Sequence, residues 1–200
     1  MQDHYYSRTP DAAHDYHEWT FALFDRPLSF LTDAGVFSKG RVDFGSVTLL
    51  KAFTSEKLPE GMILDVGCGY GPIGLFLAVK TGRPLEMIDI NERAVELAQK
   101  NARKNNLENV DIHTSDLFAD LHHEKYAAIV SNPPIRAGKK VVHAILEEAV
   151  EHLLPGGTLT IVIQKKQGAP SAKKKMEEVF GNAAVLKKDK GYYVLQSIKK

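Results

Sequence analysis

The chain has little cysteine, no long apolar run and no net charge of note. Cys68 is the single cysteine in 200 residues, so no internal disulfide can form, and the usage fits a reducing compartment rather than a secreted scaffold. The longest uncharged run, Val66 to Val79, holds four glycines and falls short of the ~18 apolar residues of a membrane span. The opening stretch MQDHYYSRTPDAAHDYHEW is polar and of mixed charge, without the apolar segment of a secretory signal. A cytoplasmic protein with no membrane partner is expected. The eight histidines form no ligand spacing with Cys68, so no metal is expected. Cys68 itself fits as a small residue in a tight loop. Repeats, low-complexity tracts and linker-like segments are absent from the sequence.

What is present begins with composition. Hydrophobic residues make up 44%, enough for one sizeable core. The formal charge of +1 is unevenly spread: residues 164–200 carry ten lysines and three acids, a balance of +7, leaving −6 on the first 163. A basic end on an acidic body suits a polyanion partner, although solvated lysines on a helix face have the same composition.

From about residue 62 short apolar runs alternate with amphipathic ones. MILDV, LEMIDI, VDIHT, YAAIVS and TLTIVIQ read as strands. IGLFLAVK, ERAVELAQKNARKN (capped by Asn91), VVHAILEEAVEHLL (stopped by PGG) and the lysine-rich SAKKKMEEVF read as helices. AAVL and YYVLQSI, joined by KKDKG, read as a closing hairpin. This order predicts an α/β fold: a Rossmann-like, doubly wound, mostly parallel sheet with one antiparallel final strand. Residues 59–200 form the expected core, and residues 1–58 an N-terminal extension or lid packed on it within one domain. In that extension YHEWTFALF is expected to be a helix with Trp19 on its apolar face, and GSVTLLKAF a second helix. FLTDAGVFSKGRVDFGS between them is either a β-rich lid or a loop.

Open parallel sheets bind ligands beyond the C-terminal ends of their strands. After the first strand comes DVGCGYG, with Asp65, Gly67, Cys68, Gly69 and Gly71; glycines let the backbone turn sharply and approach a ligand closely, and the following helix N-terminus offers free N–H groups. After the second comes Asp89, twenty residues past Gly69 and followed by Ile90, an acid placed to accept ribose hydroxyls. After the third come Asp116 and Leu117 in SDLF. After the fourth come Asn132, Pro133 and Pro134. Proline has no N–H for the ladder and biases its predecessor to an extended conformation, so Asn-Pro-Pro stops the strand and holds the asparagine rigid. Gly69, Gly71 and Gly74 also match a dinucleotide pattern, which keeps a nicotinamide dehydrogenase open. That identity gives Asn-Pro-Pro no purpose.

In LDVGCGYG, IDIN, SDLF and NPPI, in that order, the chain resembles class I S-adenosylmethionine-dependent methyltransferases over about residues 60–198. With GVFSKGRVDFGS and NPPIRAGK added, it is similar to the RsmC-like family, the small-subunit ribosomal RNA guanine-N2 methyltransferases. The resemblance implies a seven-stranded sheet, S-adenosylmethionine as cofactor, S-adenosylhomocysteine as product and no metal. It implies that Asp65 and the glycines bracket the methionine part, Asp89 the ribose, and Asp116 with Leu117 the adenine, with Cys68 and Ile90 also against the cofactor. It also implies that Asn132 and Pro133 accept hydrogen bonds from the target NH2. Many N-methyltransferases place an aromatic ring after the prolines; here Ile135 stands there, so stacking must come from elsewhere, with Phe37 and Phe44 as candidates. Lys39 accompanies Phe37 near the site, and Arg136, Lys139 and Lys140 follow the catalytic turn as candidate phosphate contacts, extended by the lysines of 165–175. The implied partner is ribosomal RNA or the small ribosomal subunit. Some members carry a second, degenerate copy of the domain ahead of the catalytic one; this chain has about 60 residues there, and a homodimer would substitute. Two rivals share the site: a methyltransferase for protein glutamine amides, and a binding protein that keeps the cofactor fold without catalysis.

Overall fold

The structure, a computed structural model, describes residues 14–34, 40–134 and 138–200. Among the described residues nine strands and five helices follow one another as β1 (His17–Leu23), β2 (Arg26–Thr32), α1 (Phe44–Ala52), β3 (Ile63–Val66), α2 (Pro72–Thr81), β4 (Leu85–Asp89), α3 (Glu92–Lys104), β5 (Val110–Thr114), β6 (Tyr126–Ser131), α4 (Lys139–His152), β7 (Leu153–Gln164), α5 (Ala169–Phe180), β8 (Ala184–Asp189) and β9 (Tyr192–Ile198), with a 3-10 turn at Lys165–Gln167. Seven strands form one sheet in the order β5-β4-β3-β6-β7-β9-β8. Only β9 runs against its neighbours, pairing antiparallel with β7 and β8. Every other pairing in this sheet is parallel. The predicted seven-stranded Rossmann-like sheet with one antiparallel final strand is the sheet observed, and its final strand is inserted inside the edge rather than at it.

The sheet has an apolar layer on each face. Leu49 and Leu50 of α1 and Phe53 at its C-terminal cap pack with Leu75 and Phe76 of α2 and Val95 and Leu97 of α3 over Ile63 and Met87. Ile145 and Leu146 of α4 pack with Met176 and Phe180 of α5 over Leu64, Ile129 and Ile161. Strands covered on both faces carry continuous apolar runs, which is why β3 and β6 are buried along their whole length.

The stretch expected as an N-terminal helix is a strand. Trp19, Phe21 and Leu23 alternate with more exposed neighbours, a period of two rather than 3.6. The two-residue turn after them places Phe24 and Asp25 at φ 55 and 56, the left-handed pair that matches strand twist in a tight hairpin. Trp19 therefore sits on a strand, 5.2 Å from the Phe30 ring and 6.1 Å from Tyr70. The outer edge of β2 is covered by α3. Asn101 Oδ1 accepts from Leu31 N at 2.6 Å and its Nδ2 donates to Leu31 O at 3.0 Å. Asn105 treats Ser29 the same way at 2.9 and 2.7 Å. Two carboxamides thus substitute for a neighbouring strand on an exposed edge. The FLTDAGVFSKGRVDFGS stretch divides: its first three residues end β2, and Phe44 starts α1. The expected second helix is α1, capped by Asp43, whose Oδ1 accepts from Gly45 N and Ser46 N.

Candidate active site

The parallel strands β3, β4, β5 and β6 all end at one rim, and an antiparallel strand begins where its parallel neighbours end, so Tyr192 of β9 lies opposite Gln164 of β7 at that rim. A cavity of about 590 Å³ opens there, within the range that takes a nucleotide-sized ligand.

The first wall is the glycine loop. Gly67 and Gly69 have φ 73 and 59, which side-chained residues rarely adopt, and a Cβ on either would meet open space. Gly67 N and Cys68 N donate to Ile88 O, both at 2.9 Å, tying the loop to the end of β4. Asp89 completes the tie: Oδ2 accepts from Gly69 N and Oδ1 from Asn91 N, each at 2.9 Å. Asp89 lines the cavity, and burial pushes its pKa upward against those bonds. Cys68, Ile90, Asp116 and Leu117 lie on the same wall. Burial, with the Asp89 and Asp65 charges, drives the Cys68 thiol well above its usual range, so it stays protonated and serves as a small wall residue.

Two predicted residues stand behind the wall rather than on it. Gly71 caps α2 at φ 98 and packs on Leu75 and Met87. Asp65 is fully buried; its Oδ2 accepts from Gly74 N at 2.8 Å and its Oδ1 has no partner among the described residues. Burial, reinforced by the Asp89 charge and opposed by the Gly74 bond, raises its pKa to about 7.

The opposite wall carries Asn132, Pro133 and Pro134. Ser131 Oγ donates to Val66 O at 2.7 Å, fixing the end of β6 against β3 just before the turn. Asn132 Nδ2 donates to Asp43 Oδ2 and to Ser46 Oγ, each at 3.1 Å. The Ser46 hydroxyl gives its own proton to Asp43 Oδ2, so both groups facing Asn132 are acceptors and the group opposite them must be the NH2. Among the described residues Oδ1 takes no bond and remains the carboxamide's acceptor.

Phe37, Lys39, Ile135 and Arg136 lie outside the described residues. Lys139 and Lys140 are exposed in the first turn of α4, off the cavity wall. Of the lysines in 165–175, Lys173 pairs with Glu177 and Lys175 with Glu147 at 3.0 Å and Glu178 at 3.4 Å. Exposed Lys165 and Lys166, next to the rim residue Gln164, have no acidic partner among the described residues.

Asp43 and Ser46 lie within GVFSKGRVDFGS, which by itself gives neither a role, and Gln164, Gln167 and Tyr192 carry no motif; all five are on the wall. For Asp43 the available signal was its helix-cap position before Phe44-Gly-Ser. A second gathering escaped the histidine spacing. Buried Glu86 accepts from His113 Nε2 and His122 N through Oε1, both at 2.8 Å, and from the Tyr126 hydroxyl through Oε2 at 2.6 Å. The His113 and His122 rings stack at 3.7 Å, so their faces rather than their lone pairs meet. The group ties the 115–125 segment, with Asp116 and Leu117, to the sheet.

Comparison with known proteins agrees with this geometry. Residues 27–196 match the methyltransferase small domain family. The chain is 53% identical to the uncharacterized protein YbxB of Bacillus subtilis, over the full length of both. It is 38% identical over 143 residues to ribosomal RNA small subunit methyltransferase C of Aeromonas hydrophila, covering 69% of this chain and 40% of that protein. A T. thermophilus 16S rRNA N2 methyltransferase, RsmC, solved with AdoMet and guanosine superposes with a TM-score of 0.83 at 28% identity, covering 92% of this chain and 51% of that one. The chain thus spans about half the length of the relatives named small subunit methyltransferase C. With the family's model covering 27–196 and a glycine-loop cavity at the strand ends, this chain belongs to the methyltransferase small domain family.

Proposed function

We propose that this protein is an S-adenosylmethionine-dependent methyltransferase that modifies an exocyclic amino nitrogen, N2 of a guanine in small-subunit ribosomal RNA. The observation that carries the proposal is the oriented carboxamide of Asn132, whose NH2 is spent on Asp43 and Ser46 and whose Oδ1 is left to accept.

The residues present fit the cofactor. The two left-handed glycines leave open space where a side chain would stand, Asp89 offers a carboxylate on the wall beside Ile90, and Asp116 and Leu117 follow on the same side. Behind the loop, the Asp65 carboxyl, whose Oδ1 has no partner among the described residues, would favour a cationic ligand by its charge and not by contact. Bound S-adenosylmethionine supplies an electrophilic methyl carbon on its sulfonium.

The chain's own part is positioning and fixed dipoles. A guanine amino group is a poor nucleophile because its lone pair is delocalised into the ring. Accepting hydrogen bonds from both N–H groups, at Asn132 Oδ1 and the Pro133 carbonyl, favours a pyramidal nitrogen with its lone pair aimed outward. Pro133 and Pro134 hold these acceptors at the end of β6. Within a packed helix the amine cannot be reached in line, so the target base is unpaired or flipped out. Lys139, Lys140, Lys165 and Lys166 then follow the RNA backbone at the rim.

Residues 1–58 act in this proposal as an extension of the core, since Asp43 and Ser46 belong to the site. Transfer of a labelled methyl group to ribosomal RNA, to small-subunit particles and to total protein, followed by mapping of the product, is the test. Label on guanine N2 supports the proposal. Label on glutamine side chains of protein, or transfer to no acceptor, overturns it.

A further inference from the structure

The aromatic ring that many N-methyltransferases carry after Asn-Pro-Pro is missing from this chain, where residue 135 is isoleucine. Tyr192, in a distant part of the sequence, lies on the wall of the same cavity. It opens β9 opposite Gln164, the last residue of β7, and three neighbours hold its ring in place. Gln164 Nε2 donates to its hydroxyl at 2.6 Å. Phe44 packs against it at 5.6 Å and 51°. Gly45 leaves room for it, because a Cβ at that position would stand 2.8 Å from Tyr192 Cε1.

The same turn of α1 holds Asn132. Ser46, which accepts from Asn132 Nδ2, is the neighbour of Gly45, with Cα atoms about 3.8 Å apart. The ring and the carboxamide are therefore set against each other by one dipeptide. Gln164 and Gln167 also reach the wall. With one Nε2 proton spent on Tyr192, Gln164 keeps a carbonyl and a second proton for a base edge. Outside the wall, the Lys190 ammonium lies 4.9 Å from the Phe44 ring centroid.

We infer that Tyr192, braced by Gln164, Phe44 and Gly45, is the stacking platform for the target purine of RNA, with the Gln164 carboxamide reading the base edge. This rests on the proposed function and specifies its substrate subsite. A phenol face suits a planar base, and a stacked base is worth enough that losing the platform lowers affinity about 5- to 150-fold.

Two measurements separate this inference from the proposal beneath it. The first uses 2-aminopurine riboside, which has an amino group at the same ring position as guanine, added to the protein in the presence of S-adenosylhomocysteine. Its fluorescence is expected to be quenched by wild type and by Tyr192→Phe, and not by Tyr192→Leu. The second is methyl transfer to RNA. Tyr192→Leu is expected to reduce kcat/KM by about 5- to 150-fold, with affinity for S-adenosylhomocysteine unchanged by calorimetry, while Tyr192→Phe, which keeps the ring and loses only the Gln164 brace, loses less than Tyr192→Leu. Unchanged quenching by a folded Tyr192→Leu, or no quenching by wild type, overturns the platform whatever the enzyme methylates. Quenching that depends on the ring, in a protein that methylates no RNA, retains the platform and removes the proposed function.

Discussion

Asn132 and Asp43 lie 89 residues apart in sequence and meet at 3.1 Å, amide to carboxylate. The bond decides which way a symmetric-looking carboxamide faces. Without an acceptor on that side the two orientations of Asn132 differ little in shape, and many molecules would turn the NH2 rather than Oδ1 away from Asp43 and Ser46. Asp43 is itself fixed, because its other oxygen caps α1.

Asn132→Ala is expected to reduce the rate of methyl transfer by about 10²–10³, or ~3 kcal/mol, by analogy with the removal of an oxyanion-hole donor. Cofactor affinity should persist, since the glycine loop and Asp89 are untouched. Single-turnover transfer and calorimetry on the same variant check both halves. Wild-type rates would refute the role given to Asn132.

Asp43 is a positioning residue, and its contribution separates from helix capping. Asp43→Ala loses the cap, at about 1 kcal/mol of stability, and also the orientation of Asn132, so kcat falls with cofactor affinity unchanged. Asp43→Asn retains a capping oxygen and should recover the stability. The informative variant exchanges the pair, Asn132→Asp with Asp43→Asn, which restores one amide–carboxylate bond with donor and acceptor reversed. It should be more stable than Asn132→Asp alone, where two carboxylates face each other. A thermal midpoint no higher than that of the single variant would argue against the coupling.

The carboxyl of Asp65, raised to about 7 by burial, gives stability a specific pH dependence. An unfolded aspartate titrates near ~3.9, so between about 4 and 7 the native state binds the extra proton. Its contribution is greatest below the lower value, declines as pH rises through the folded one, and is constant above it. Asp65→Asn should flatten this slope in urea titrations at a series of pH values. A cation beside the pair Asp65 and Asp89 favours their charged forms. Binding of S-adenosylmethionine slightly below the folded pKa of Asp65 should therefore release protons, and more of them than S-adenosylhomocysteine, which lacks the sulfonium. Calorimetry in buffers of different ionisation enthalpy measures this; equal release with both ligands would count against it.

Lys165 and Lys166 at the rim, without acidic partners among the described residues, predict salt-sensitive RNA binding. Replacing both with alanine should weaken binding to single-stranded ribosomal RNA fragments. It should also reduce the slope of log K against log salt by about 0.7 for each phosphate these lysines neutralise in the wild type. Lys173→Ala, which removes a side chain already paired with Glu177, should leave that slope unchanged. Binding that ignores salt would exclude the lysine track.

The sheet is legible in the sequence because its strands are short, buried on both faces and separated by amphipathic helices. VDIHT and YAAIVS occupy the spans of β5 and β6 to the residue. The glycine loop, Asp89, Asp116 and Asn132 are legible because each follows a strand end, and the topology of a parallel sheet sends all strand ends to one rim. The hairpin β1–β2 is not, because its turn, Phe24-Asp25, adopts the left-handed conformation without the glycine or asparagine that usually signals it. The contacts of Asp43, although GVFSKGRVDFGS contains it, and the place of Tyr192 are hidden for another reason. Their role comes from packing between α1, β6 and β9, and neither residue differs locally from an ordinary cap or strand residue. Gln164 likewise reads as the end of a strand. Pairing with β9 gives it a partner hydroxyl.

The inserted strand β9 has a consequence for the newborn polypeptide. The loop at residues 67–71 emerges from the ribosome long before residue 192, yet the two share one chamber. A growing chain can assemble the parallel strands and their glycine turn while the far side of the chamber gapes. If Tyr192 receives the substrate base as inferred above, discrimination begins only when the last hairpin docks through β9 on the edge of β7, and a stalled or clipped product is expected to hold the small ligand and ignore the large one.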